Sequence, residues 1–264
     1  MFGSVLHDPI RDTELGPTWW HRYSVRKAYD FIDLIFLHQA LRSTDVDVPN
    51  NLPKYVIPHG PYPVDSAPLD KTSARKKLNL PGNKLILLSF GHIRDNKNLD
   101  LAIQCLKEHP ELHLVVAGQS LGEAQRQPDE YRELATNSGV SDQISWFTHY
   151  IPDEEISHYF SASDGVLLTY SAGFRSASGV LNLAAAFDKP CIASSGPSPL
   201  EEQVKKYKLG VWVSPDSLGS LTEGMSVFKQ LDLKPDWQGY LEDNSWERNA
   251  SITKEAFLSY GGGG

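Results

Sequence analysis

The feature that most restricts the fold is a series of short, almost wholly apolar runs punctuating the chain from Lys84 to Ser214. KLILLSF, LHLVVAG, QISWFTHY, DGVLLTY, PCIAS and LGVWVS each suit one strand, and none alternates apolar with polar residues along its length. Strands of that kind are buried on both faces, which calls for a parallel sheet covered by helices on either side. The intervening segments LDLAIQCLKEH, PDEYRELATNSG, DEEISHYFSAS, SGVLNLAAAF and PLEEQVKKYK supply those helices. Strand and helix alternate throughout, which predicts an α/β domain with a doubly wound, six-stranded, Rossmann-like parallel sheet. Such sheets bind ligands beyond the carboxyl ends of their strands. The loops after Phe90, Gly118, His149, Tyr170 and Ser194 are therefore where a site is expected.

Residues 1–60 have a different character. SVLHD reads as a strand end, PTWWHRYSVRKAYDF as a helix and IDLIFLH as a strand, with KYVIPHG closing the portion. So few elements do not bury their own faces, so these residues are expected to form part of a second lobe. The Pro-rich PHGPYPVDSAP stiffens the crossing into the main lobe, placed at 61–235. Residues 236–260, with Trp246, Ile252 and Phe257 roughly on one face, read as a helical segment packing back on the N-terminal elements. The glycines at 261–264 read as a flexible tail.

Several function classes fall away. The formal net charge of −8, with no basic stripe, argues against a nucleic-acid partner. Cys105 and Cys191 sit in apolar contexts and read as buried free thiols, so neither a disulfide nor a zinc site is expected. No basic segment leads into an apolar stretch at the N-terminus, and no apolar run reaches the ~20 residues that span a bilayer. A cytoplasmic location is the expectation. No GxGxxG follows a predicted strand and no GxxxxGK[ST] occurs, which disfavours nicotinamide dehydrogenases and the common NTPases.

Six fragments then occur in one order: VIPHG, LLSFGHIRDNKNLDLAI, LVVAG, HYIPDEEISHYFSASDGVLLTY, SASGVLNLAAAFDKPCIAS and SWERNA. Together they resemble family 4 of the retaining glycosyltransferases over roughly residues 54 to 260. The resemblance implies the two-lobed GT-B architecture. It places a UDP- or GDP-linked sugar in the C-terminal lobe and a glycan or lipid-linked acceptor in the N-terminal lobe, with no cofactor and no metal. It implies hexose transfer with retention of configuration and leaves room for peripheral membrane contact. Residues 1–60 match only about the last third of the family's N-terminal lobe.

The resemblance also assigns roles. In GHIRDNKN, Lys97 matches a basic residue that neutralises the leaving diphosphate, and Arg94 matches a variant with its partner Arg two places after the usual position, where this chain has His92 beside Gly91. The plain alternative is a pair of surface cations. Ser178, Gly179 and Val180 open a helix, with Ser176 just upstream, and a helix N-terminus seats phosphate through free N–H groups and its dipole. An ordinary serine cap is the alternative. His7 matches a histidine facing the reacting sugar, or is structural. His149 and Tyr150 match the loop alongside the base, or pack locally. Gly196 is read as bringing backbone N–H groups near the donor, and Glu201 as bonding a sugar hydroxyl or complementing its own helix dipole. One departure is large: the family's two Glu, eight positions apart, fall at Arg175 and Leu183, and no Glu occurs between Ile156 and Leu200. Two readings follow, a hexosyltransferase and a nucleotide-sugar-binding homologue without turnover.

Overall fold

The structure, a computed structural model, describes residues 1–6, 17–38, 51–62, 69–120, 122 and 124–261. The chain divides into two compact units, one of Met1–Gly60 with Leu241–Gly264 and one of Pro61–Tyr240. The smaller holds strand β1 (Gly3–Leu6), helix α1 (Thr18–Tyr29), β2 (Leu34–Leu37) and β3 (Lys54–Val56), and its three strands are parallel in the order β1-β2-β3. All four residues of β2 are buried, yet its period of two still sorts them. Leu34 and Phe36 pack with Ile57 and Ala256, whereas Ile35 and Leu37 pack with Leu6, Tyr29, Ile32 and Leu52.

The larger unit runs α2 (Lys71–Lys77), β4 (Leu85–Phe90), α3 (Leu99–Cys105), β5 (Leu112–Ala117), α4 (Pro128–Asn137) and β6 (Ile144–Phe147). It continues with α5 (Asp153–Ala162), β7 (Gly165–Thr169), α6 (Gly179–Ala186), β8 (Cys191–Ser194), α7 (Pro199–Lys206), β9 (Gly210–Trp212) and α8 (Leu218–Gln230). The remaining helices are α9 (Trp237–Asp243) and α10 (Trp246–Gly261). The sheet is parallel throughout in the order β6-β5-β4-β7-β8-β9, the doubly wound arrangement its apolar strands predict. The chain adds β5 and β6 on one side of β4 and β7, β8 and β9 on the other, so the winding reverses between β4 and β7. That topological switch point opens a crevice beyond their carboxyl ends.

Three elements depart from the sequence expectation. Helix α2 carries almost no apolar stripe; it is set by Asp70, whose carboxylate accepts from the Ser73 N–H at 2.9 Å. Helix α8 starts at a Ser217 cap and buries Leu221, Met225 and Phe228, a periodicity interrupted by two glycines. The segment read as one helical piece from 236 is two helices. In the first, Trp237 and Tyr240 belong to the larger unit, where Tyr240 donates to Asn182 Oδ1 at 2.5 Å.

One buried ion pair ties this unit together. Arg75 donates from Nε to Ala162 O at 3.0 Å, from Nη1 to Gly82 O and Lys84 O, and from Nη2 to Asp164 Oδ2 at 2.6 Å. The same carboxylate oxygen accepts from the Ile86 N–H of β4 at 2.7 Å, and Oδ1 pairs with Lys71. Asp164→Asn leaves a buried guanidinium without its counter-charge, and is expected to lower unfolding free energy by about 2 kcal/mol. Urea titration followed by tryptophan fluorescence measures this.

Candidate functional site

Beyond the ends of β4 and β7 lies a cleft of about 390 Å³, lined by Tyr62, Phe90, the loop residues Gly91, His92, Arg94, Asn96 and Lys97, then Tyr170, Phe174 and the residues from Ala177 to Val180 with Leu183. The loop departs from β4 through Gly91 (φ 82°), whose N–H donates to Ala117 O at 2.9 Å. Opposite it, Gly118 (φ 142°) lies so close that a Cβ there would overlap the Gly91 carbonyl. That approach brings the ends of β4 and β5 together under the loop.

A single 3-10 turn, Asp95–Lys97, follows and is held from several sides. Thr169 Oγ1 donates to Lys97 O at 3.0 Å, and the Ser171 N–H to Asn96 O at 2.8 Å. Asn98, in the left-handed region at φ 51°, donates to Asp216 Oδ1 at 2.9 Å, while Asp216 Oδ2 accepts from the Ala172 N–H. The one acid of the turn faces away from the basic pair. Asp95 accepts from Arg126 Nε at 2.9 Å and Tyr131 OH at 3.0 Å. Burial alone would raise its carboxyl, but those bonds outweigh burial and hold it below the usual carboxylate value.

Arg94 and Lys97 consequently make no ion pair among the described residues. Lys97 keeps part of its surface toward the cleft, but its ammonium is closely enclosed and donates to Phe90 O at 2.6 Å. Loss of hydration, with Arg94 adding repulsion, pushes Lys97 down to about 7. Burial, Arg94 and Lys97 together lower His92 from its ordinary value, so this exposed imidazole is neutral at physiological pH. The Nε of Arg94 is buried without a hydrogen-bond partner among the described residues.

Across the cleft stands the N-terminus of α6. Ser178 occupies the cap position, yet its side chain does not cap the helix, because its hydroxyl shares a hydrogen bond of 3.0 Å with Tyr170 OH. The first N–H groups of any α-helix have no intrahelical acceptor, so those of Gly179 and Val180 remain for a ligand. Tyr62 lies against Gly179, its ring 3.1 Å from where a Cβ would stand. Tyr170 stacks on Phe174 with centroids 3.9 Å apart, and burial pushes its phenol up. The cleft thus offers two basic side chains and a helix N-terminus, and no Asp or Glu is among its described lining residues. Its chemistry suits a polyanion.

Of the residues singled out by sequence, the structure gathers Gly91, His92, Arg94, Lys97, Ser178, Gly179 and Val180 around this cleft. It leaves others aside. Ser176 is part-buried just upstream and does not line it. His149 and Tyr150 are exposed beyond the end of β6. Gly196 spends its N–H on Phe174 O at 3.1 Å, because the loop after β8 buttresses the loop after β7 and leaves that group nothing to give a donor. Glu201 pairs with Lys205 one turn along α7 at 2.7 Å, the arrangement of a residue serving its own helix. His7 lies outside the described residues. Asn96, Tyr62 and Ala177 were not foreseen. Asn96 stands between the two cations in sequence, and that position was the available signal.

The family model for glycosyl transferases group 1 matches residues 70–236, which contains the cleft apart from Tyr62. The chain belongs to the glycosyl transferases group 1 family. Curated relatives include a D-inositol 3-phosphate glycosyltransferase of Acidothermus cellulolyticus, 28% identical over 127 residues that make up 45% of this chain and 28% of the relative. A lipopolysaccharide core biosynthesis mannosyltransferase of Rhizobium meliloti is 30% identical over 146 residues, 52% of this chain and 38% of that one. The chain therefore aligns with less than half the length of these relatives. Among solved structures, Anabaena HepE in complex with UDP superposes with a TM-score of 0.76 at 17% identity, covering 98% of this chain and 72% of that one. HepE was also solved with UDP-glucose. At that identity the likeness establishes the glycosyltransferase fold alone. Among the described residues no group of three His, Cys, Asp or Glu is placed to hold a metal, and no helix is long and apolar enough to cross a membrane.

Proposed function

We propose that this member of the group 1 glycosyl transferases binds a nucleoside-diphosphate sugar in the cleft between β4 and β7 and serves as the donor-binding part of a retaining hexosyltransferase. One observation carries the reading: Arg94 and Lys97, with no counter-ion among the described residues, face the N–H groups that open α6 in a cleft whose described lining holds no carboxylate. A diphosphate supplies the missing charge and accepts from all of these donors. In transfer, the bond from the anomeric carbon to the diphosphate breaks and its electron pair stays on the phosphate oxygen. The acceptor hydroxyl bonds to that carbon on the same face, and its proton passes to the departing diphosphate. Arg94, Lys97 and the α6 amides stabilise the charge that develops there. A glycan or lipid-linked alcohol is the acceptor class.

A second reading, sugar-nucleotide binding without turnover, is favoured by Leu183. This residue lines the cleft at the position where the resemblance places a ribose-binding Glu.

Calorimetric titration with UDP, GDP and ADP tests the site. Micromolar binding of one of them is expected, weakened at least ~100-fold by the Arg94→Ala/Lys97→Ala pair, since two charge-assisted contacts disappear. A folded sample that binds none of the three overturns the reading. Binding without nucleotide release, when sugar donor and candidate alcohols are supplied together, selects the second.

A further inference from the structure

We propose that Asn96 reads the sugar: its carboxamide oxygen accepts a hydrogen bond from a hydroxyl of the nucleotide-linked hexose. The inference rests on the nucleotide-sugar reading of the cleft and deepens it. The turn around Asn96 is held in place, with the Asn96 carbonyl taken by the Ser171 N–H, that of Lys97 by Thr169 Oγ1, and the Asn98 side chain tied to Asp216. Asn96 lines the cleft, and its Oδ1 is enclosed with no hydrogen-bond partner among the described residues. An orphaned acceptor is costly to keep unless something comes to satisfy it.

The rest of the cleft explains what that is. Arg94, Lys97 and the first N–H groups of α6 are all donors, and the Tyr170 and Ser178 hydroxyls share a hydrogen bond with each other. A diphosphate brings only acceptors, so it satisfies this set and leaves Asn96 untouched. A hexose hydroxyl brings a donor. No Asp or Glu is among the described lining residues, and of the acceptors that are, the neutral His92 imidazole, the Tyr62, Tyr170 and Ser178 hydroxyls and the Asn96 amide, the Asn96 oxygen is the one enclosed without a hydrogen-bond partner. The amide torsion is broad, so a turn about χ2 moves Oδ1 from its enclosed position toward the ligand.

The test compares two matched pairs by calorimetry, UDP with UDP-glucose and GDP with GDP-mannose, on wild type, Asn96→Ala and Asn96→Asp. In whichever pair binds, Asn96→Ala is expected to weaken the sugar nucleotide about 10-fold while the bare diphosphate stays within threefold. Asn96→Asp keeps an acceptor and is expected to retain the preference for the sugar nucleotide. The melting temperature of Asn96→Ala should be unchanged or raised, because an unsatisfied group is removed. Equal weakening of both ligands, or an unaltered preference for the sugar form, overturns the proposal and leaves the diphosphate site standing. Absence of binding by either pair overturns both.

Discussion

Alanine at position 118 is expected to cost about 4 kcal/mol of stability, enough to unfold a domain of ordinary stability at physiological temperature. Two penalties combine. The backbone of Gly118 sits at φ 142°, where L side chains are rarely found, and the added Cβ overlaps the carbonyl of Gly91. Neither strand end can yield cheaply: the Gly118 N–H is held by Phe147 O at 2.9 Å, and the Gly91 N–H by Ala117 O at 2.9 Å. Both belong to the middle of a six-stranded sheet. Gly82→Ala is the control, because nothing stands near its Cβ and its backbone is ordinary; it should lie within ~0.5 kcal/mol of wild type. Urea unfolding of the three proteins decides the matter. A Gly118→Ala protein within about 1 kcal/mol of wild type would mean that the strands do not approach as described.

Lys97→Met is expected to move stability and binding in opposite directions. The unfolded chain keeps this ammonium protonated up to its ordinary value of 10.5, whereas the folded protein releases the proton near 7. Below about 7 both states carry the charge, and the full penalty of enclosing it is present. Between 7 and 10.5 the unfolded state binds more protons, so stability rises with pH through that window. Methionine removes the penalty. The variant should gain ~1–3 kcal/mol at pH 6, the figure being held down because part of the side chain faces the cleft, and the gain should fade as pH rises. Nucleotide affinity should fall about 100-fold, since the charge awaiting the diphosphate is gone. Wild-type affinity should itself weaken above neutrality, where binding must take up the proton that Lys97 has released. Thermal melts at pH 6 and pH 9, with titrations at both, separate these effects. A variant no more stable than wild type at pH 6 would show that the ammonium is not strained in the free protein.

The sheet was legible because its strands are apolar on both faces, a pattern that only a covered parallel sheet explains. Its loops followed from topology, whereas Arg94 and Lys97 were singled out by the resemblance of GHIRDNKN to the corresponding loop of a glycosyltransferase family. Helix α2 escaped because a cap and a buried arginine define it, not an apolar stripe. Helix α8 escaped because Gly219 and Gly224 weaken the helical signal that Leu221, Met225 and Phe228 carry. For Gly196 and Glu201 the gap between sequence and structure is of a different kind. Sequence shows that an N–H or a carboxylate is available, but not that Phe174 O or Lys205 already occupies it. The converse holds for Asn96: its proposed role rests on a hydrogen bond that its Oδ1 does not make among the described residues, and no sequence pattern displays that.

The turn that carries the two cations is pinned by Thr169 and Ser171 on one flank and by Asp216, through Asn98, on another. A loop anchored in this way has no closing step to wait for before it meets a phosphate. Association should therefore be a single fast encounter, rising linearly with nucleotide concentration, and differences among nucleotides should appear as differences in residence time. Asp216 sits far along the chain from the cations it steadies. Loosening its tie should slow capture before it shortens the stay.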